Sequence, residues 1–280
     1  MKQLNSILEQ VRQKYHPLRE LRRLLPWHRW FGCLDFLVFV NDRHIGFRYF
    51  VYALKNLPYL PGTERMEPAV QRVLTHCVKR PQTRTFWDVG ANVGFYTWLA
   101  LASRPHLRCL LVEPVPFNVK LLRKTIEANS LSQCQVVQAA IGKSVGSEAM
   151  MVDEVSGATS QLKSLYDRSS PGAMAKIYGL KKQIDVATTT LDWLVEDAGY
   201  VPDVVKLDVE HAELFLQEGA AALVAGGRTI FIFESHFDTV LDWFVENGYE
   251  VYKLDALKNY LAVPVSMVDS VLETLAGHRY

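Results

Sequence analysis

From residue 85 onward, short apolar segments alternate with amphipathic segments, and this alternation limits the fold more than any other feature. Strands that alternate with helices usually form a parallel sheet, because neighbouring parallel strands need a crossover connection. The predicted strands span residues 85–89, 108–113, 134–140, 204–208, 229–234, 249–254 and 260–265. The predicted helices span residues 94–103, 117–129, 191–198, 212–219 and 239–247. We therefore expect an α/β domain with a mostly parallel, doubly wound sheet.

Residues 1–65 do not follow this alternation, and we interpret them as an N-terminal extension of an α/β domain at 66–280. Apolar residues recur at helical spacing over residues 3–24, and the opposite face of this predicted helix is basic. The helix could contact an anionic membrane surface or an acidic partner, or simply pack on the domain. Residues 33–52 predict a hairpin with Asn41 and Asp42 in its turn.

A helix predicted at residues 67–79 leads into the α/β domain, and an insert of about residues 143–190 interrupts the domain later. The insert contains predicted strands at 149–152 and 183–187. Between them, residues 153–175 contain Gly and Ser and predict either a lid over a site or a surface loop.

Composition narrows the class of protein. The 280-residue chain has a formal net charge of +1, so it has no general basic excess for binding nucleic acid. No apolar run reaches the roughly 20 residues that a transmembrane helix needs. The four cysteines form no CxxC pair, and we expect Cys109 and Cys134, within predicted strands, to be buried, reduced thiols. These features predict a cytoplasmic protein.

The segment FWDVGANVGFYT, residues 86–97, predicts a ligand-binding turn. A buried strand containing Asp88 is followed by Gly90, Asn92 and Gly94, and a helix begins there. Glycine allows positive φ and a close approach of the backbone to a ligand. In doubly wound sheets, ligands bind at the carboxyl ends of the strands, where the strand order reverses.

Two ligand classes fit such a turn, and a purely structural turn is the third alternative. Dinucleotides favour GxGxxG, but here the third glycine is missing and Asp88 would lie unfavourably near a pyrophosphate. An acidic residue suits a ligand with an ammonium group, such as the methionine part of S-adenosylmethionine. Glu113 ends the second strand and could accept hydrogen bonds from the ribose hydroxyls of either ligand.

Acidic residues recur after the later strands. The segment KLDVEHAE contains Asp208 and Glu210, and FIFESH ends in Glu234 and His236. Acidic residues at a helix start could simply cap the helix, but burying ionisable groups at a strand end is costly. A carboxylate or imidazole could remove a proton from a hydroxyl acceptor, and we favour His236 or Asp208. A divalent cation held by some of these carboxylates is an alternative.

With these motifs in place, the sequence resembles the FkbM family of methyltransferases over roughly residues 67–265. The matching segments are DVGANVGFYT (88–97), VEPVPFN (112–118), TTLDWL (189–194), KLDVEHAE (206–213) and FIFESH (231–236). The resemblance implies a Rossmann-like class I methyltransferase fold and S-adenosylmethionine as cofactor. Known members mostly methylate hydroxyl groups, often on sugars or polyketide-type natural products.

The resemblance also implies roles for individual residues. It places cofactor binding at Asp88, Gly90, Asn92, Gly94 and Glu113, and we expect the same of Ala91, Tyr96, Pro114 and Ala140. Asp208 and Glu210 fall on the acidic motif near the reacting centre. The family usually has glycine where this sequence has His211, which leaves the acceptor less defined than the cofactor.

These patterns predict an S-adenosylmethionine-dependent O-methyltransferase that acts on a hydroxyl of a sugar, glycan or related natural product. The alternatives are an NAD-dependent oxidoreductase, or a non-catalytic member of the fold that binds the cofactor without turnover.

Overall fold

The computed structural model describes residues 36–53, 56, 59, 63–153, 160–166 and 181–276. The basic helix expected at residues 3–24 and most of the expected lid at 153–175 lie outside them. A hairpin is formed by β1 (Leu37–Asp42) and β2 (Phe47–Tyr52). Its turn follows Asp42 instead of containing it, because the buried Asp42 carboxylate accepts hydrogen bonds from Tyr49 Oη and the backbone N–H of His44.

The described residues after the hairpin contain eleven further strands. They are β3 (Thr85–Val89), β4 (Arg108–Val112), β5 (Cys134–Val137), β6 (Ala140–Ile141), β7 (Gly146–Asp153), β8 (Gln161–Leu162), β9 (Lys181–Thr189), β10 (Val204–Leu207), β11 (Ile230–Glu234), β12 (Tyr249–Lys253) and β13 (Asn259–Pro264).

Seven of these strands form the central sheet, in the order β12-β13-β11-β10-β3-β4-β5. The pairs β11–β10, β10–β3, β3–β4 and β4–β5 are parallel, and β13 is antiparallel to both of its neighbours. The strand order reverses at β3, with β4 on one side and β10 on the other. The expected Rossmann-like, mostly parallel sheet is therefore confirmed.

Helices cover both faces of this sheet. They are α1 (Pro68–Lys79), α2 (Phe95–Ser103), α3 (Pro116–Ala128), α4 (Lys163–Tyr166), α5 (Leu191–Ala198), α6 (Leu216–Gly219), α7 (Ala221–Ala225), α8 (Asp238–Glu246) and α9 (Val268–Ala276). Successive residues of a strand point to opposite faces, so Phe86 packs into the core with α1, α2 and α3, while Trp87 packs into the core with α5 and α8.

The insert forms a second sheet in the order β6-β9-β7-β8. The strand predicted at 134–140 is therefore two strands: β5 ends at Val137, and Ala140–Ile141 pairs with β9 instead of β4. Cys109 is buried as expected, but Cys134 is half-buried because β5 is an edge strand. Both thiols are free.

Candidate functional site

A cavity of about 220 Å³ lies at the carboxyl ends of the central strands. Neighbouring strands contribute to its lining in sheet order: Glu234 ends β11, Asp208 follows β10, Gly90 follows β3, Glu113 follows β4 and Ala140 follows β5. Adjacent strands lie about 4.8 Å apart, so a ligand along this edge can contact several of them. The sheet thus brings residues distant in sequence into one cavity.

The turn after β3 leaves no room for a side chain at Gly90. A Cβ there would lie 1.8 Å from the backbone oxygen of Asp208, and the backbone has a φ of +80°. The N–H groups of Gly90 and Ala91 both donate to the Val112 oxygen, which holds the turn against β4. Gly90 and Ala91 therefore line the cavity with their N–H groups already paired.

Asn92 continues this turn into the cavity, whereas Gly94 lies outside the lining. The Asn92 backbone N–H donates to Glu113 Oε2 at 2.8 Å. Gly94 precedes α2 with a φ of +82°, and a Cβ there would lie 2.6 Å from the Trp98 ring. Its role in the structure is the packing of α2.

Glu113 is buried and lines the centre of the cavity. Its other oxygen, Oε1, accepts hydrogen bonds from the Val115 N–H at 2.9 Å and from Asn118 Nδ2 at 3.2 Å. Burial raises the pKa of Glu113 to about 7, although these hydrogen bonds act in the opposite direction. The carboxylate is thus held in one orientation, at the height where β4 ends.

The structure places Asp88 behind the glycine turn instead of in the cavity lining. Asp88 is buried, is not part of the cavity lining, and accepts two hydrogen bonds through Oδ2, from the N–H and the hydroxyl of Thr97. Asp88 precedes the strand end by one residue, so its side chain points to the α2 side of the sheet. It anchors α2 behind the turn, and burial raises its pKa to about 6.

Near Glu113, the cavity wall is apolar and partly formed by the insert. Met150 of β7 and Leu162 of β8 reach the lining. The other apolar lining residues in this part are Val112, Pro114, Val115, Ala139, Ala140 and Ile141. This wall suits the flat apolar faces of a nucleobase.

At the β10 end, the buried Lys206 forms an ion pair with Asp208. Lys206 Nζ lies 2.7 Å from Asp208 Oδ2 and 4.6 Å from the centre of the Tyr96 ring, and all three residues line the cavity. Burial alone lowers the pKa of Lys206, but Asp208, Asp88 and Glu67 outweigh this and raise it. Lys206 is therefore a cation that neutralises part of an acidic cluster.

At the β11 end, Glu234 is half-buried and lines the cavity, and Glu210 also lines it. Burial, followed by the nearby Asp208 and Glu67 carboxylates, raises the pKa of Glu234 to about 7. His236 Nε2 lies 3.2 Å from Glu234 Oε1. The side chain of His236 is about half exposed and is outside the lining, because β11 ends at Glu234 and the chain turns away.

The backbone conformation at His211 is one that glycine adopts more easily than histidine does. Its backbone has a φ of +78°, and Glu210 before it has a φ of +48°. A side chain in this left-handed region costs roughly 1–2 kcal/mol. The His211 ring packs edge-on against Phe237 at 5.4 Å and against His236 at 6.1 Å between ring centres. His211 thus joins the loop after β10 to the loop after β11.

Lys206 and Tyr59 are two of the lining residues that sequence reasoning missed. The sequence did contain a signal for Lys206. This lysine lies within an apolar strand that Asp208 follows, and a buried lysine needs a charged partner. Tyr59 had no such signal. It precedes the α/β domain in the chain, and only tertiary packing brings it to the cavity.

Within the ranges described above, no group of three or more His, Cys, Asp or Glu residues is arranged to hold a metal ion. None of the helices seen in those ranges is long and apolar enough to cross a membrane.

Comparison with known proteins gives a family match over more than half of the chain. Residues 88–251 match the methyltransferase FkbM domain. This range begins at Asp88, before the glycine turn, and includes Glu113, Asp208 and Glu234. A comparison with curated proteins found no match.

Several solved structures are similar at low identity. The precorrin-6y C5,15-methyltransferase from Geobacter metallireducens is 14% identical, with coverage of 69% of this chain and 84% of that chain and a TM-score of 0.38. TYW2 from P. horikoshii, in complex with MeSAdo, is 14% identical, with coverage of 81% and 69% and a TM-score of 0.39. The METTL16 MTase domain is 12% identical, with coverage of 79% and 74% and a TM-score of 0.45.

Proposed function

The chain belongs to the FkbM family of methyltransferases, and we propose that it transfers a methyl group from S-adenosylmethionine to a hydroxyl of a sugar, glycan or related natural product. Family membership supports methyl transfer over nicotinamide chemistry. The observation that carries the proposal is the position of Glu234, a carboxylate with a pKa of about 7 that lines the same cavity as Gly90 and Glu113.

The cavity fits S-adenosylmethionine in three respects. Glu113 presents a buried carboxylate that can accept ribose hydroxyls, and the apolar wall of Pro114 and Met150 suits the adenine. Carboxylates in the lining favour a positively charged ligand. When bound, S-adenosylmethionine supplies a methyl group on a positively charged sulfur.

Asp208 and Glu234 have different partners, which supports different roles. Asp208 is paired with Lys206, so part of its negative charge is already balanced. Glu234 has a pKa near neutrality and so exchanges its proton readily at physiological pH. We assign proton removal to Glu234, while Asp208 contributes electrostatically to binding the donor.

A hydroxyl acceptor fits this assignment. The acceptor oxygen forms a bond to the methyl carbon as the carbon–sulfur bond breaks, S-adenosylhomocysteine leaves, and the hydroxyl proton passes to Glu234. Alignment of the two substrates accounts for most of the acceleration in such a reaction. A positioned base contributes about 10²–10⁴-fold more.

The test is the release of S-adenosylhomocysteine over a panel of sugars, glycans and polyol natural products, followed by substitution of Glu234. Glu234→Gln should lower kcat by about 100-fold or more while leaving the affinity for S-adenosylhomocysteine nearly unchanged. Since the base must be deprotonated in the free enzyme, wild-type kcat/KM should rise with pH through about 7, and this rise should be smaller in the variant.

Glu218→Gln changes an exposed carboxylate outside the cavity and is the matched control, so it should retain kcat and keep the pH dependence. If His236→Asn removed the pH dependence while Glu234→Gln kept it, His236 would be the base. If no acceptor in the panel gave product above background, the non-catalytic alternative would replace our proposal.

A further inference from the structure

Tyr59 belongs to the N-terminal extension and lies outside the residues 88–251 that match the family, yet it lines the cavity. Its backbone oxygen accepts a hydrogen bond from the hydroxyl of Tyr49 at 2.9 Å, and its ring lies 6.1 Å from that of Phe95. Tyr49 belongs to β2 and is fully buried. The hairpin therefore fixes the backbone position of Tyr59 through the hydrogen bond from Tyr49.

The hydroxyl of Tyr59 is a hydrogen-bond donor directed toward the glycine turn. It accepts a hydrogen bond from Asn92 Nδ2 at 3.4 Å, and it donates to no residue in the described ranges. Burial, together with the nearby carboxylates of Asp208 and Glu67, raises the pKa of Tyr59 well above its usual value. The hydroxyl thus stays protonated at neutral pH and keeps a proton to donate.

Donors are scarce at this end of the cavity. The N–H groups of Gly90 and Ala91 already donate to the Val112 oxygen, and Lys206 is paired with Asp208. The charged lining residues other than Lys206 are carboxylates, which accept hydrogen bonds. An amino-acid tail carries an ammonium group, which these carboxylates can bind, and a carboxylate, which needs a donor.

We propose that Tyr59 is a cofactor-binding residue whose hydroxyl donates a hydrogen bond to the carboxylate of the methionine part of S-adenosylmethionine. This inference rests on the proposed function, since it assumes a donor with an amino-acid tail. It gives the extension a role, because the α/β domain alone would lack this contact.

The test uses two ligands that differ in the tail alone. S-adenosylhomocysteine has the amino acid, whereas 5′-methylthioadenosine keeps the adenosine and sulfur without it. Binding of each to the full-length protein is measured by calorimetry. Tyr59→Phe removes one hydroxyl, and it should weaken S-adenosylhomocysteine by about 10-fold or more, because a hydrogen bond to a charged group is lost. Its affinity for 5′-methylthioadenosine should stay within about twofold.

Two further variants calibrate this result. Tyr252→Phe removes an exposed tyrosine hydroxyl that bonds Glu250, and it should change neither affinity. Glu113→Ala should weaken both ligands, because both contain the ribose that Glu113 faces.

The outcomes separate the two proposals. An unchanged affinity of Tyr59→Phe for S-adenosylhomocysteine, or an equal loss for both ligands, would overturn the role of Tyr59 while methyl transfer stands. A wild-type protein that bound neither ligand would overturn the proposed function itself.

Discussion

In the part of the cavity at the ends of β3, β4 and β5, the carboxylate of Glu113 accepts hydrogen bonds from backbone N–H groups and an amide. At the ends of β10 and β11, Asp208 and Glu234 instead contact the titratable side chains of Lys206 and His236. We call the first region the binding half and the second the acceptor half.

The two regions differ in the hydrogen-bond partners of their carboxylates, and these partners determine what chemistry each carboxylate can perform. Neutral amides do not change charge near pH 7, so they fix the orientation of a carboxylate and keep it available for ligand hydroxyls. Titratable partners allow charge and protons to be redistributed during a reaction. Under the proposed function, we expect changes in the binding half to alter affinity and changes in the acceptor half to alter turnover and charge balance.

The largest effect is expected at Gly90 in the binding half. Gly90→Ala would place a Cβ 1.8 Å from the Asp208 oxygen, and backbone at that distance must move. We expect at least a 100-fold loss of affinity for S-adenosylhomocysteine, since both the turn and the strand end after β10 shift. Calorimetric titration measures this directly.

Gly199→Ala is the matched control, because Gly199 also has a positive φ, of +71°, but a Cβ there meets nothing within 4 Å. It should lower the melting temperature through backbone strain and leave affinity unchanged. Equal loss of binding in both variants would mean that strain, and not the close approach at Gly90, determines the effect.

An intermediate effect is expected at Lys206 in the acceptor half. Lys206→Met leaves the neighbouring carboxylates Asp208 and Asp88 without their buried cation, so we expect a loss of about 3 kcal/mol in the free energy of unfolding. Urea denaturation measures it. In the control, Lys143→Met breaks an exposed pair with Glu218 and should cost less than about 1 kcal/mol. Equal losses would show that the Lys206 pair has no special role.

The smallest effect is a pH dependence of stability from Glu113. Its pKa is about 7 in the folded protein, against an ordinary value of 4.5. Between these values the folded state binds the extra proton, so stability should decrease as pH rises from about 5 to 7 and level off above. Glu113→Gln should reduce this decrease by on the order of 1 kcal/mol. Urea denaturation of both proteins at pH 5.5 and 8 tests it, and identical slopes would contradict the assignment.

Much of the fold could be predicted, because the apolar runs that form strands are local signals. The bounds of β3 were predicted correctly, and those of β4 within one residue. The end of β5 was predicted incorrectly. Between residues 137 and 140 the chain passes from the central sheet to the second sheet, because the residues that follow pair with β9. Likewise, the helix expected at 212–219 begins as a 3₁₀ turn after the left-handed His211.

The residues of the candidate site likewise include some whose positions the sequence predicted and some whose positions it did not. Most of the residues chosen from the motifs line the cavity, because the carboxyl ends of parallel strands meet at one edge of the sheet. Asp88 and His236 lie outside it. Asp88 is still within β3 and points to the α2 side of the sheet, whereas His236 follows the end of β11, where the local turn decides its direction.

The sequence by itself determined the class of fold, the glycine turn and the positions of the carboxylates, because these depend on strand periodicity and on residue types next to strand ends. The tertiary structure decided which charges are paired, which carboxylates titrate near neutrality, and that Tyr59 reaches the turn from the extension. Burial and distance set these properties, and both arise only when segments far apart in the chain are packed together.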